Sequence, residues 1–282
     1  MSIIVRRMNA STARDRAKRS LNQPMKLVKI DPPGSWCQYE AVMEMISKAG
    51  GETFLEVGCG PGLLSLRLCE KGWHGLGVDF STLAIGQAEG NLRQYIQDGR
   101  YRLIAGDVFD LDLRGEKFDV GLSMMVMEHV ENHIGFLKRI GEFVKPGGHI
   151  IVGVPGRQDR WGIEDETVGH LRRYDRNDLM NALVSAGLDD VTIWSVAVPV
   201  ANLLFHFSNF FIRNSAERNK LGSCAREQTE GSGIREIPWK TVFPASFKLL
   251  LNRTTLYPLF VAQRFFYRTN LGLTMLACGR VS

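Results

Sequence analysis

Phe54-Leu55-Glu56-Val57-Gly58-Cys59-Gly60-Pro61-Gly62 passes from a β-prone apolar run into a turn with glycine at every second place, and a helical pattern opens at Leu63. Glycine adopts positive φ at little cost and lets a ligand approach the main chain, while a helix start offers unpaired N–H groups. Strand, glycine turn and helix together read as a ligand-binding βα unit. Spacing narrows the ligand. A dinucleotide fingerprint needs a small residue at the sixth place of GxGxxG, and here that place is Leu63, with glycine one place earlier. Nicotinamide-dependent oxidoreduction is disfavoured on that ground.

Outward from this turn, short apolar runs alternate with helical stretches. Strands are expected at Thr53 to Val57, Gly75 to Asp79, Tyr101 to Ala105, Phe118 to Ser123, His149 to Val154, Val191 to Val196 and Leu273 to Gly279. Helices fit at Leu63 to Lys71, Ser81 to Gln97, Asn132 to Val144 and Arg176 to Ala186, with a further amphipathic one at Cys37 to Ala49 before the first strand. Gly72, Gly99, Pro146 with Gly147 and Gly148, and Gly187 fall where those helices should stop. The alternation predicts an α/β fold on a mostly parallel sheet.

Length and composition agree with one large domain. The chain has 282 residues, 44% apolar and 23% charged, with a mean hydropathy of −0.10, which excludes a disordered chain and a polytopic membrane protein. Five cysteines (Cys37, Cys59, Cys69, Cys224, Cys278) form no CxxC pair, so neither a disulfide scaffold nor a zinc ribbon is implied and a cytoplasmic setting is expected. The net charge of +5 is unevenly spread. Residues 1–30 hold eight Lys/Arg against one acid, residues 31–200 hold 16 against 25, and residues 201–270 hold 10 against 4. An acidic body between basic segments argues against a nucleic-acid partner. The first 30 residues read as a loosely ordered basic arm. The uncharged run Val191 to Ile212 is interrupted by Pro199, Asn202, His206, Ser208 and Asn209, and is not read as membrane-spanning.

The glycine turn and the strand ends after it resemble the motifs of the class I S-adenosylmethionine-dependent methyltransferases. Glu56-x-Gly58-x-Gly60-x-Gly62 is similar to that family's first motif, Val78-Asp79-Phe80-Ser81 to its second and Ile104-Ala105-Gly106-Asp107-Val108 to its third. Phe118-Asp119-Val120 through Met127-Glu128-His129-Val130, then Val144 to His149, resemble the next two strand motifs. The likeness covers residues 36–199 and the last strand. It implies a Rossmann-like seven-stranded sheet with helices on both faces, split into residues 31–200 and 271–282 around a helical cap at 201–270. It implies S-adenosylmethionine as cofactor, with Asp79 accepting from both ribose hydroxyls and Asp107 taking the adenine amino group. Glu56, Gly58, Gly60, Gly62, Phe80, Gly106, Val108 and Met124 complete the implied cofactor set. Adenine and ribose are neutral and polar, which suits strand-end carboxylates, and a cationic sulfonium suits aromatic faces and carbonyls. Glu56 would orient the donor's methionine end through water, or else cap the turn. Trp36 and Tyr39 are read either as an aromatic lid or as part of a packed helix.

Acceptor residues are expected where segments leave the carboxyl ends of the strands. Trp161-Gly162-Ile163-Glu164-Asp165-Glu166-Thr167-Val168-Gly169-His170-Leu171-Arg172-Arg173-Tyr174 is too polar for a strand, and its end resembles the Gly-His-x-Arg-Arg-Tyr loop of small-molecule members of the family. Methyl transfer needs alignment and removal of one proton, so His170 is a candidate base; alternatively it orders the loop on Glu164, Asp165 or Glu166. His129 is read first as a hydrogen-bonded residue packing the cofactor and second as a base. His129 and His133 stand at i and i+4, but without a third His or Cys at usable spacing no metal site is expected.

The segment 201–270 carries 12 of the 26 aromatics, interleaved with Lys240, Lys248, Arg253, Arg264 and Arg268. Its first reading is a cap packed on its own domain or across a dimer; its second is an amphipathic cover over an apolar acceptor or a membrane surface. Two functions remain open: an enzyme methylating a hydroxyl, or less favourably an amine or carbon, of a hydrophobic small-molecule or lipid-like acceptor, as monomer or homodimer; and a donor-binding regulatory protein without turnover.

Overall fold

The computed structural model describes residues 27–215 and 242–282. The basic arm up to residue 26, and Cys224 and Lys240 of the insert, lie outside the described residues. The arm's expected end at residue 30 is revised: Leu27–Lys29 (β1) pairs antiparallel with Val242–Pro244 (β8), tying that stretch to the insert.

Seven further strands form one sheet: β2 (Thr53–Val57), β3 (His74–Asp79), β4 (Tyr101–Ala105), β5 (Phe118–Met124), β6 (Val144–Pro155), β7 (Leu188–Val196) and β9 (Thr274–Val281). Their order is β4-β3-β2-β5-β6-β9-β7, with β9 antiparallel to both neighbours and the other pairs parallel. This is a Rossmann-like sheet. β2 and β5 are buried along most of their length because parallel strands are covered on both faces. One face packs under α1 (Pro33–Ala49), α2 (Leu63–Glu70) and α3 (Thr82–Gln97) through Val42, Ile46, Leu68 and Leu92. The other packs under α4 (His133–Gly141) and α6 (Arg176–Ser185) through Phe136, Ile140, Leu179 and Leu183.

Caps set where the helices begin. The Ser81 hydroxyl accepts from Ala84 N–H at 3.3 Å, and the Asn132 side chain accepts from Gly135 N–H at 2.9 Å. The chain leaves β2 outward through β3 and β4, then returns to β2's other side as β5. A crevice therefore opens beyond the carboxyl ends of β2 and β5, where the order reverses.

The polar stretch after β6 is not all loop, since Ile163–Val168 forms a short helix, α5. The insert begins as α7 (Val200–Arg213), and its later part is broken rather than continuous. A 3₁₀ turn at Ala245–Leu249 precedes α8 (Arg253–Gln263), which the Asn252 side chain caps. α8 packs on α1: Cys37, Ala197, Leu256 and Phe260 form a buried cluster. Gln263, itself buried, accepts from Ala197 N–H at 3.0 Å and donates to the Cys37 carbonyl at 2.9 Å. Two of the basic residues suited to a membrane face are paired with acids of α1, Arg253 with Glu40 at 2.7 Å and Arg264 with Glu44 at 3.1 Å. No helix among the described residues is long and apolar enough to cross a membrane.

Candidate active site

A cleft of about 1540 Å³ lies beyond the strand ends, between the β2–β4 rim and the insert. Its first wall is built from turns. Gly58 has φ +75° and sits where a Cβ would fall 2.2 Å from Val126 Cγ2, so only glycine fits. Gly60 has φ +53° and faces open space, leaving its main chain accessible to a ligand. Asp79, at the end of β3, accepts from Gly60 N–H at 2.8 Å through Oδ2 and from Ser81 N–H at 2.8 Å through Oδ1. That ties the glycine turn to the rim, yet each carboxylate oxygen keeps a second lone pair for a ligand hydroxyl. Asp107 accepts from Phe109 N–H at 3.0 Å.

Gly58, Gly60, Asp79, Phe80, Gly106, Asp107, Val108 and Met124 thus share the cleft, as the sequence led one to expect. Gly62 and Glu56 do not line it. Gly62 starts α2 with φ +73°, and a Cβ there would lie 2.5 Å from Leu92, so it serves helix packing. Glu56 is buried beneath the turn and accepts from the Ser65 hydroxyl, which in turn accepts from Tyr101 at 2.8 Å. Burial pushes the Glu56 carboxyl up to about 7 despite the Ser65 bond. The aromatic lid is also revised: Trp36 and Tyr39 stack against the Arg67 guanidinium, at 5.0 and 4.3 Å, while Ser35 and Gln38 of the same helix line the cleft.

The residues on this wall fit a neutral nucleoside carrying a sulfonium. From Val57 to Asp110 the described lining holds three carboxylates (Asp79, Asp107 and Asp110), aromatic Phe80 and Phe109, and no Lys or Arg. A pyrophosphate would meet like charge there.

The opposite wall comes from distant segments. At the end of β5, Met125 has φ +57°, unusual for a side chain of its size, and its N–H is fixed to the Gly153 carbonyl at 2.7 Å. Glu128 follows, fully buried, and among the described residues neither carboxylate oxygen has a hydrogen-bond partner. Burial, with Asp165 nearby, pushes its pKa up to about 8. His170 donates through Nδ1 to Asp165 Oδ1 at 2.7 Å, and its Nε2 lies 3.6 Å from Glu128 Oε1. Asp165 also accepts from Arg173 at 2.8 Å. Its own burial opposes ionisation, but the bonds from His170 and Arg173 outweigh that and hold its carboxyl below the usual range. His129 donates through Nδ1 to the Gly169 carbonyl at 3.1 Å, and the two imidazoles meet edge to face with centroids 4.9 Å apart.

His170 and His129 therefore stand together in the cleft lining, although 40 residues separate His129 from the Gly169 turn it bonds. His133 does not join them. Met127–His129 is a separate 3₁₀ turn and α4 starts only at His133, so the two residues share no helix face. The His133 ring accepts instead from Arg172 and from Tyr174 at 3.2 Å, and burial together with Arg172 lowers its pKa. Of the three acids read as possible partners of His170, Asp165 is the one it bonds, while the approach of Glu128 to His170 was not legible from spacing. Beyond the histidines the wall turns apolar, through Leu204, Phe205, Phe207 and Phe211 of α7 with Phe243 and Phe247.

Comparison with known proteins accords with this geometry. The model of the methyltransferase-domain family matches residues 17–193. A ubiquinone biosynthesis O-methyltransferase of Brucella anthropi is 38% identical over 107 residues, which cover 38% of this chain and 42% of that protein; the match spans less than half of the relative's length. Among solved structures, a SAM-dependent methyltransferase of Thermotoga maritima superposes over 88% of this chain and 90% of its own with TM-score 0.54 and 15% identity. Phosphoethanolamine N-methyltransferase 2 of Haemonchus contortus, in complex with S-adenosyl-L-methionine, superposes over 86% of this chain and 52% of its own with TM-score 0.54 and 15% identity. At those identities the likeness is one of fold.

Proposed function

Since the chain belongs to the methyltransferase-domain family, we propose that it transfers the methyl group of S-adenosylmethionine to a hydroxyl oxygen of an acceptor bearing an apolar tail. The observation that carries the reading is the composition of one continuous cleft, polar and acidic where a nucleoside would lie, aromatic where an acceptor would enter, with two imidazoles between. Asp79 would hold the ribose hydroxyls and Asp107 the adenine amino group. The Gly58–Gly60 main chain would face the donor. When bound, S-adenosylmethionine supplies an electrophilic methyl carbon on a cationic sulfur.

The protein's part is alignment and proton removal. As the acceptor oxygen bonds to the methyl carbon, the carbon–sulfur bond breaks, its electron pair stays on sulfur, and the hydroxyl proton must leave. His170 is suited to take it. With Nδ1–H anchored on Asp165, its lone pair is on Nε2, and Asp165 stabilises the imidazolium that would form. His129 is the second candidate. The relative's designation as an O-methyltransferase supports oxygen as the accepting atom.

The aromatic wall sets the acceptor class. Phe207 is 63% exposed although it lines the cleft, and an apolar tail laid along α7 would cover it. Each buried methylene contributes roughly 0.8 kcal/mol, so a few suffice to separate tailed from untailed acceptors. The test is a radiolabelled methyl-transfer assay on phenols that share a head group and differ in tail length. Labelled ether should form, kcat/KM should rise with tail length, and Phe211→Ser should flatten that rise while sparing the tailless phenol. Absence of label in every phenol, or a rate indifferent to the tail, would contradict the assignment.

A further inference from the structure

Three ligating groups converge where the two walls meet, and the methyl-transfer reading uses only part of what they offer. Ligating atoms of Glu128, His129 and His170 all lie within 4.8 Å of one another. Each histidine has Nδ1 engaged with an acceptor outside the cluster, His170 with the Asp165 carboxylate and His129 with the Gly169 carbonyl. A carbonyl or carboxylate oxygen only accepts, so both rings carry hydrogen on Nδ1 and, when neutral, a lone pair on Nε2. Carboxylate–imidazole and carbonyl–imidazole pairs of this kind orient histidines toward metal ions. Glu128 adds a carboxylate that is 0% exposed, with both oxygens lacking hydrogen-bond partners among the described residues.

A buried carboxylate is costly unless it is hydrogen-bonded or paired, and no side chain among the described residues donates to Glu128. Here the surroundings instead hold two imidazole nitrogens, with His170 Nε2 at 3.6 Å from Oε1, too long for a hydrogen bond and about the spacing of two ligands around one ion. Two imidazoles and one carboxylate leave coordination positions open, the arrangement suited to a first-row divalent cation. His129 and His170 both line the cleft, so an ion has a route in and its open side faces the acceptor.

We propose that Glu128, His129 and His170 form a site for a first-row divalent cation whose open positions take an oxygen of the acceptor. The cation site itself stands apart from the methyl-transfer reading; its role toward an acceptor rests on that reading. A coordinated hydroxyl ionises more readily. With the ion bound, His170 would act on the acceptor through the metal and not as a free base.

The test uses the full chain, dialysed against a chelator and titrated with cobalt(II) while its visible d–d absorption is followed, with S-adenosylhomocysteine binding measured on the same samples by calorimetry. The expected result is saturation at one equivalent, affinity lowered at least tenfold in Glu128→Gln and in His129→Ala, and unchanged affinity in His133→Ala. Near-UV circular dichroism of the metal-free variants establishes that each is folded; the two ligand variants are read independently, so either suffices. No saturable cobalt spectrum in the wild type, or equal affinity in the folded ligand variants, overturns the proposal. Saturable cobalt binding without nucleoside binding leaves the site in place and removes the methyl-transfer reading.

Discussion

On the donor wall Asp79 and Asp107 sit at strand ends, partly open to the cleft and bonded to nearby main-chain N–H groups: Asp79 holds Gly60 and Ser81, Asp107 holds Phe109. On the acceptor wall Glu128 and Asp165 are wholly buried. Asp165 ties His170 and Arg173 together, and Glu128 faces two imidazoles with no donor of its own among the described residues. The first wall is finished locally, within two to nineteen residues, while the second is assembled from segments about 40 residues apart. Sites completed by short-range bonds tolerate loss of one bond, whereas a buried ion network does not.

The largest effect should therefore come from Asp165→Ala. It strands Arg173 and His170 in the interior, and removal of one partner of a buried pair costs about 3–5 kcal/mol. Urea denaturation should show that loss at pH 7. A change below about 1 kcal/mol would mean that water or neighbouring groups replace Asp165, and the contrast between the walls would fail.

A smaller, pH-dependent effect lies under the donor wall. Glu56 has a folded pKa raised to about 7 against an ordinary 4.5, so between those values the folded state holds a proton that the unfolded state has lost. Its contribution is complete below pH 4.5 and is lost as pH rises through 7. Glu56→Gln keeps a neutral partner for Ser65 and should be more stable than the wild type at pH 8, by up to about 3 kcal/mol, with the difference vanishing near pH 4. Parallel denaturation curves at the two pH values check this. An equal difference at both would show that Glu56 does not titrate in that range.

The same contrast governs what could be read from the sequence. Glycine spacing, acids closing apolar runs and helix stops are local signals; β2 to β5 form where they point, and Asp79 and Asp107 line the cleft. Glu56 misled because a motif position says nothing of which face its side chain takes, and in β2 that face is the interior. The His129–His133 spacing carries no pairing because an i, i+4 pair meets only within one helix, and Asn132 starts a new one between them. His170 meeting His129 depends on α5 and the Gly169 turn, which a polar, acid-rich stretch did not announce. The β1–β8 pairing joins residues over 200 positions apart, with no local pattern to reveal it.

The most direct measurement of the central claim is calorimetric titration of the wild type and Asp79→Ala with S-adenosylhomocysteine. The wild type should bind one equivalent. Asp79→Ala removes both the expected ribose contacts and the tether on Gly60, and should weaken binding at least a hundredfold with the thermal unfolding transition still cooperative. Undiminished binding in the folded variant, or none in the wild type, would contradict a cleft built for a sulfonium nucleoside.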